Sequence, residues 1–275
     1  MIFTAKSAEF LRWAEEKEKN IPENIDGIFV NIHDINNVKT SEIDKIKETI
    51  YKHNSCIYSS KIALKSNTNL LKFVELVGMK TYDCNNIESN EISTITPLQN
   101  SKINYIPYTD KLLNWHTDGY YDKKSIFSWL LHCVNPATQG GENYLLDHEL
   151  VLREYLLRND DINNLMAEDA LTIPESKDTS RSEISTYIFS FKNKYRRLHM
   201  RFSMRKDNIG TSAKASPAII KLKEIIENDC TKYSLTYKLQ KNEGIITNNI
   251  LHGRKAFKDD KVKRKLLRIR SYERL

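Results

Sequence analysis

The alternation of apolar and polar residues divides the first eighty positions into helices and strands. Apolar side chains recur at intervals of three or four within 7–19, 41–50 and 67–79, which predicts three amphipathic helices. Residues 28–32 and 56–58 are rich in β-branched and aromatic residues, which predicts two strands. We therefore expect this part of the chain to mix helices with strands.

The rest of the chain is richer in strands. Residues 82–106 contain many Asn and Ser residues without a clear period, and we interpret them as a loop leading to a functional site. After this loop we predict strands at 125–134, 142–147, 186–191, 198–204, 233–239 and 245–251, and helices at 148–158, 161–167 and 218–228. The short polar segment between the strands at 186–191 and 198–204 predicts a hairpin.

The order of these elements bears on the fold class. Strands and helices do not alternate regularly, which argues against a doubly wound parallel sheet. The chain has no internal repeat, low-complexity linker or break in composition. A single domain covering residues 1–275 is the simplest interpretation.

The formal net charge of +7 is concentrated at the C-terminal end. Residues 253–275 contain ten Lys or Arg and three Asp or Glu, so the rest of the chain is close to neutral. A segment of this kind suits binding to nucleic acid or to an anionic membrane surface. Because Leu266, Leu267 and Ile269 interrupt the charges, we favour a half-buried strand whose inward arginines hold carboxylates.

Cysteine spacing and the first residues indicate a protein of a reducing compartment. The four cysteines lie 28, 49 and 97 residues apart, and no pair has the spacing of a metal or redox motif. Lys6 and Glu9 interrupt the apolar core that a signal peptide needs, and the longest apolar run, 126–134, is too short to span a bilayer. We expect a soluble, cytoplasmic protein.

Candidate chemistry lies in two short segments far apart in the chain. His116 and Asp118 are two positions apart, so their side chains point to the same face if the segment is extended. His252 follows Asp118 by 134 residues, and the fold must bring it to the same place. Two histidines and one carboxylate on one face of a metal are the ligand set of non-haem Fe(II) oxygenases. For His116 taken alone, a partly buried structural histidine near a turn is the favoured interpretation.

Four separated motifs resemble the TauD/TfdA family of Fe(II)- and 2-oxoglutarate-dependent dioxygenases. They are His116-Thr117-Asp118, the segment 140–143 (Gly-Gly-Glu-Asn), His252-Gly253-Arg254, and the pair Arg264 and Arg268. The resemblance covers roughly residues 105–272, which would be the catalytic core, with the first hundred or so residues as a helical and strand embellishment. It implies mixed β structure with surrounding helices, a double-stranded β-helix or distorted jelly roll.

The resemblance also implies roles for individual residues. His116, Asp118 and His252 would bind Fe(II), and Arg264 would hold the far carboxylate of 2-oxoglutarate, since a guanidinium fork fits a carboxylate and keeps its charge. Many members have Thr where this chain has Asn143. An Asn amide also donates hydrogen bonds, so we assign Asn143 to co-substrate binding as well.

Three further residues are candidates for substrate binding. Arg268 is four positions after Arg264, which places both on one face of a regular strand. Tyr120 suits either a pocket wall or the plain core. Arg201 suits either contact with an anionic substrate or a solvated strand edge.

The implied reaction is O₂-dependent hydroxylation of an unactivated C–H bond, in which 2-oxoglutarate becomes succinate and CO₂. The arginines favour a small or medium anionic substrate. The amino-acid sequences of the motifs around His116 and Asn143 are similar to those of enzymes that hydroxylate the sugar acid Kdo of lipopolysaccharide. If Kdo is the substrate, the protein would make peripheral contact with the anionic inner membrane face. The alternatives are a hydroxylase of a free amino acid or biosynthetic intermediate, and a non-catalytic basic nucleic-acid-binding protein, although no nucleic-acid recognition motif is present.

Overall fold

The computed structural model describes residues 6–84, 91–97, 106–159, 161–176, 181–192, 197–205 and 209–275. The helices are α1 (Ala8–Lys19), α2 (Thr40–His53), α3 (Asn67–Val77), α4 (His148–Arg158), α5 (Asn163–Met166) and α6 (Ser216–Glu224). Single turns of 3-10 helix at Ile25–Ile28, Ile106–Tyr108 and Thr231–Tyr233, and a π-helical turn at Ile225–Asp229, supplement them.

Seventeen strands complete the described secondary structure. They are β1 (Phe29–Asp34), β2 (Ser55–Ile62), β3 (Ser93–Ile95), β4 (Leu113–His116), β5 (Ser128–Asn135), β6 (Gln139–Gly140), β7 (Asn143–Leu146), β8 (Leu171–Ile173), β9 (Ile184–Thr186), β10 (Phe189–Lys192), β11 (Arg197–Met200), β12 (Gly210–Thr211), β13 (Leu235–Tyr237), β14 (Glu243–Thr247), β15 (Leu251–Arg254), β16 (Phe257–Lys258) and β17 (Lys265–Ser271).

Two sheets position the candidate site. The larger has six strands in the order β1-β2-β14-β5-β17-β3, and the smaller has four in the order β13-β7-β15-β4. All of their pairings are antiparallel except that of β1 with β2. Three strands of the larger sheet therefore come from the first hundred residues, and β2 pairs directly with β14 of the catalytic region.

The faces of β17 show how the sequence builds this arrangement. Leu267 and Ile269 lie on the face of the six-stranded sheet that α2 and α3 cover, in a core that includes Ile46 of α2 and Phe73 of α3. Leu266 points inward and packs with Trp129, and also with Leu145 of the smaller sheet. Successive side chains of a strand alternate between faces, so Arg268, two residues after Leu266, points inward as well. A separate core lies beneath α4 and α6.

Most predicted elements are present, with differences that have local causes. The second helix begins at Thr40 rather than Ser41, because the Glu42 side chain accepts a hydrogen bond from the backbone N–H of Lys39. The interpretation of 82–106 as a loop was wrong in part, since β3 lies there and pairs with β17. Residues 85–90 and 98–105 of this segment lie outside the described residues. The predicted strand 245–251 is divided between β14 and β15, which belong to different sheets.

The predicted hairpin is confirmed by the antiparallel pairing of β10 with β11, although its second strand ends at Met200 and its turn, 193–196, lies outside the described residues. The fold class is a mixed α/β arrangement with several sheets. Among the described helices, none is both long enough and apolar enough to cross a membrane.

Candidate active site

His116 and His252 are brought together by strand pairing. His116 ends β4, His252 lies in β15, and the two residues are direct partners in the antiparallel register. Cross-strand partners have their side chains on the same face, and here the two ring centroids are 4.2 Å apart. Asp118 follows two residues after β4 ends and turns its carboxylate to the same point.

The three side chains have the geometry of a metal site. The Nε2 atoms of His116 and His252 each lie 3.6 Å from Oδ1 of Asp118, and the three ligand atoms all lie within 4.8 Å of one another. Each imidazole places Nδ1 2.9 Å from a backbone carbonyl, of Asn114 and Ile250 respectively. A carbonyl can only accept, so Nδ1 carries the proton and the lone pair of Nε2 faces the centre.

The electrostatic environment keeps the ligands in the forms that bind metal. Burial lowers the pKa of His116, and the neighbouring His252 lowers it further, which favours the neutral imidazole. Burial opposes ionisation of Asp118, but the nearby charge of Arg268 holds its pKa well below the usual value. Neutral imidazoles and an ionised carboxylate are what a divalent cation requires.

A cavity of about 470 Å³ opens beside the three ligands. Its walls combine apolar side chains (Ile95, Leu113, Trp129, Leu131, Leu266) with Asn143 and three arginines (Arg254, Arg264, Arg268). The sequence-predicted residues Arg264, Asn143 and Arg268 thus lie around one space together with His116, Asp118 and His252. A mostly apolar cavity with a few polar groups is the usual form of a small-molecule site.

Two cavity residues lack the polar partners that burial normally demands. Arg264 is 4% exposed, and no described carboxylate lies within ion-pair distance of its guanidinium. Burial lowers its pKa to about 10. The Nδ2 amide of Asn143 is also buried and has no hydrogen-bond partner among the described residues. A buried cation and a buried donor in one cavity fit a carboxylate-bearing ligand such as 2-oxoglutarate.

Arg268 connects the cavity to the metal site. Its Nη1 lies 3.7 Å from Oδ2 of Asp118, the oxygen that does not approach both histidines. The two carboxylate oxygens therefore face different partners. Oδ1 faces the imidazoles, and Oδ2 faces a guanidinium.

The structure places the other two predicted substrate residues outside the lining of this cavity. Tyr120 is buried in the core beneath α4 and α6, where its ring meets that of Tyr121 edge-on at 5.1 Å. Arg201 is buried and donates to the carbonyl of Asp122 at 2.8 Å and to Oγ of Ser125 at 2.9 Å. A solvated strand edge, the alternative for Arg201, was therefore wrong.

Two cavity residues received no role from the sequence. Arg254 is buried and donates to the carbonyls of Pro107 and Thr109, which ties the segment before β4 to β15. The ring of Trp129 lies 4.5 Å from that of His252, centroid to centroid. The His252-Gly253-Arg254 triplet was the available signal for Arg254, whereas nothing in the sequence set Trp129 apart from other core aromatics.

Comparison with known proteins supplies the family. Residues 19–270 match the family described as "Taurine catabolism dioxygenase TauD, TfdA family". The match begins well before residue 105, so it extends beyond the region that the motifs covered. No curated protein sequence matches the chain.

Several solved structures share the fold at low sequence identity. An asparagine oxygenase in complex with Fe(II), (2S,3S)-3-hydroxyasparagine and succinate is 11% identical with a TM-score of 0.60, covering 96% of this chain and 92% of that one. The non-haem iron oxygenase OrfP in complex with Fe, succinate and (3S)-hydroxy-L-Arg is 12% identical with a TM-score of 0.65, covering 97% and 92%. PvcB from Pseudomonas aeruginosa is 13% identical with a TM-score of 0.57, covering 87% and 82%.

The family match spans most of the chain, and the ligand set and its orientation agree with it. An enzyme family also leaves the alternative of a non-catalytic basic binding protein without support. The chain belongs to the TauD/TfdA family and is an Fe(II)- and 2-oxoglutarate-dependent dioxygenase with His116, Asp118 and His252 as its metal-binding triad.

Proposed function

We propose that the enzyme hydroxylates an unactivated C–H bond of a small or medium anionic substrate. The observation that carries this proposal is the position of Arg268, whose guanidinium lies 3.7 Å from the carboxylate of the metal ligand Asp118. A fixed cation at the edge of the metal site favours a substrate with a negative charge near the oxidised carbon. A guanidinium has five N–H donors, so contact with Asp118 and with a bound anion are compatible.

The remaining cavity residues would hold the co-substrate. Arg264 would bind the far carboxylate of 2-oxoglutarate through both arms of its guanidinium, and Nδ2 of Asn143 would donate to a carboxylate oxygen. Bound iron supplies the activation of O₂. The chain's own part is to keep the two Nε2 atoms and Oδ1 of Asp118 converged and to hold both organic anions beside them in a largely apolar space.

The presence of Asp118 favours hydroxylation over halogenation. The related radical halogenases replace this carboxylate with a small residue, which makes room for halide at the metal. Here the carboxylate is present, with Oδ1 at 3.6 Å from the Nε2 atom of each histidine and Oδ2 at 3.7 Å from Nη1 of Arg268.

Two classes of substrate that carry a carboxylate fit the proposal. Free amino acids are supported by the structural neighbours, because asparagine oxygenase and OrfP hold hydroxylated asparagine and arginine respectively. The sugar acid Kdo is supported by the wording of the motifs around His116 and Asn143. A lipopolysaccharide precursor would place a cytoplasmic enzyme at the inner membrane face.

We further infer that the six-stranded and four-stranded sheets form the double-stranded β-helix of this family within one domain. The shared core of Trp129, Leu266 and Leu145 supports this inference, since these side chains come from both sheets. Tyr120 and Arg201 would influence the substrate only indirectly, because both lie outside the lining of the cavity.

The test is a screen of succinate release, with Fe(II), O₂ and 2-oxoglutarate, against free amino acids, Kdo and a Kdo-bearing lipopolysaccharide precursor. Mass spectrometry of the products should show the gain of one oxygen atom per succinate. A product that loses two hydrogens, or gains a halogen, would overturn hydroxylation. Acceptance of only uncharged compounds would overturn the anionic substrate, and Arg268→Leu should raise the KM of the true substrate more than that of 2-oxoglutarate.

A further inference from the structure

Asn249 lies in the turn between β14 and β15, three residues before the metal ligand His252. Its backbone has a φ of 52°, in the left-handed region that Asn tolerates better than most residues. The side chain is 1% exposed, so it is buried rather than placed at a surface turn. A buried Asn of this conformation must have its amide satisfied within the protein.

The side-chain amide of Asn249 forms hydrogen bonds with the backbone of the metal ligand Asp118. Its Oδ1 accepts a hydrogen bond from the N–H of Asp118 at 2.8 Å. Its Nδ2 donates to the carbonyl of Asp118 at 2.9 Å and to the carbonyl of Ile126 at 2.7 Å. A primary amide with both contacts to one residue reproduces the paired hydrogen bonds that two opposite residues of an antiparallel sheet exchange.

This contact replaces a strand ladder that has ended. β4 stops at His116, where it pairs with His252, and Asp118 lies beyond the last ladder pair. An antiparallel register would continue towards Ile250, but the chain has already turned at Asn249. The side chain therefore holds Asp118 in a place where no backbone partner is available from β15.

We propose that Asn249 is a positioning residue for the metal site. It lies outside the lining of the cavity, and it acts through the backbone of Asp118. Asn249 lies in the turn that leads directly into β15, and β15 carries His252. The clamp, meaning the hydrogen bonds between the Asn249 amide and the backbone of Asp118, therefore fixes the carboxylate ligand relative to a histidine ligand before metal binds. The proposal rests on the metal-binding triad and not on the substrate, so its test needs no substrate.

The test compares three variants of the full chain, with Co(II) as the probe of metal binding. Asn249→Gly keeps the left-handed backbone and removes the amide. Asn249→Asp keeps the shape and the acceptor but cannot donate to the two carbonyls. Asn242→Gly is the matched control, because Asn242 is a second left-handed Asn, with a φ of 67°, in the turn before β14.

Both Asn249 variants should bind Co(II) about tenfold to about a hundredfold more weakly, the range found when groups that orient a metal ligand are removed. Their visible Co(II) spectra should also change, while the control keeps the affinity and spectrum of the natural protein. A merely structural residue would instead lower the melting temperature of the metal-free protein and leave affinity and spectrum unchanged. A folded Asn249→Gly protein with natural affinity and spectrum would overturn the proposal.

A measurement on the natural protein covers the case in which the variants do not fold. The N–H of Asp118 is bonded to the Asn249 amide without metal, so its hydrogen exchange should be slow in the metal-free protein and little changed by Co(II). Fast exchange in the metal-free protein, slowed only when Co(II) binds, would show that the clamp is not formed in advance and would overturn the proposal.

Discussion

Two groups of buried and half-buried charged residues differ in whether their charges are paired within the chain. The first, here the closed cluster, consists of Lys17, Asp147, Glu149 and Arg274. The second, here the site cluster, consists of Asp118, Arg254, Arg264 and Arg268. Burying a charge costs free energy unless an opposite charge or hydrogen-bond partners lie beside it. The charges of each group must therefore be offset either by other residues or by a bound ligand.

The closed cluster is balanced within the chain. Lys17 pairs with Asp147 at 3.4 Å and also with Glu149, and Arg274 pairs with Glu149 at 3.0 Å. Burial opposes ionisation of Glu149, but the two cations hold its pKa at about 2. Two cations and two carboxylates thus join α1, the start of α4 and the C-terminal segment.

The site cluster is not balanced within the chain. Three arginines line the cavity with Asp118, and only Arg268 forms an ion pair with it among the described residues. Burial and the nearby charge of Arg264 lower the pKa of Arg254 to about 9. The surplus positive charge surrounds a cavity of about 470 Å³. A closed cluster of this kind stabilises the fold, whereas surplus buried charge beside a cavity indicates an anionic ligand.

Breaking the closed cluster should have the largest effect on stability. Glu149→Gln removes the carboxylate shared by Lys17 and Arg274, and loss of one partner of a buried pair costs about 3 to about 5 kcal/mol. We expect urea unfolding of the metal-free protein to show this loss, with Co(II) affinity unchanged. The exposed Glu15→Gln on α1 is the control, and equal stability of the two variants would contradict the distinction between the clusters.

Removing one of the surplus arginines should weaken ligand binding and leave the stability of the ligand-free protein unchanged. Arg264→Leu should weaken 2-oxoglutarate binding about a hundredfold, since two charge-assisted hydrogen bonds of about 1.5 kcal/mol each are lost. The same change should not destabilise the ligand-free protein, because it removes an unpaired buried cation. Anaerobic titration of the visible band of the Fe(II) complex measures the affinity, and the neighbouring exposed Lys265→Ala should leave it unchanged. A destabilised Arg264→Leu protein with natural affinity would assign Arg264 to the fold.

Asn143 gives a smaller and uncharged version of the same test. Asn143→Leu removes one donor to the co-substrate and should weaken 2-oxoglutarate binding about tenfold, as one hydrogen bond to a charged group is lost. Asn143→Thr keeps a donor and should retain more of the affinity. If the Leu and Thr variants bind 2-oxoglutarate equally, Asn143 does not contact it.

Acid should act on the closed cluster with a definite sign. The pKa of Glu149 is about 2 in the folded protein and rises to about 4.3 on unfolding. Its stabilisation is therefore complete above about pH 4.3 and is lost as the pH falls towards about 2. The melting temperature of the natural protein should fall more steeply than that of Glu149→Gln over this range. If the melting temperatures of the two proteins fall in parallel with pH, folding does not lower the pKa of Glu149.

The triad could be predicted because each of its two segments carries a recognisable short motif. His116 and Asp118 share a face of one extended segment, and His252 stands in a recognisable triplet with Gly253 and Arg254. The interior position of Arg268 followed from the alternation of β17, which a strand pattern displays. Six of the predicted site residues, each taken from a motif or a strand face, line one cavity.

Other features depend on partners that no local pattern encodes. Arg201 looked like an edge or substrate arginine, but the carbonyl of Asp122 and the hydroxyl of Ser125 draw it into the interior. The division of 245–251 at Asn249 depends on the backbone of Asp118, which is 131 residues distant in the chain. β3 forms in a polar segment because β17 offers it a pairing edge.

His116, Asp118 and His252 bind one iron beside 2-oxoglutarate, and an anaerobic titration can show this without any substrate. Fe(II) and 2-oxoglutarate added to the natural protein should give a weak visible charge-transfer band. We expect His252→Ala to lose this band and His33→Ala, which changes an exposed histidine of β1, to keep it. A band of natural intensity in His252→Ala would show that His252 is not a ligand of the iron.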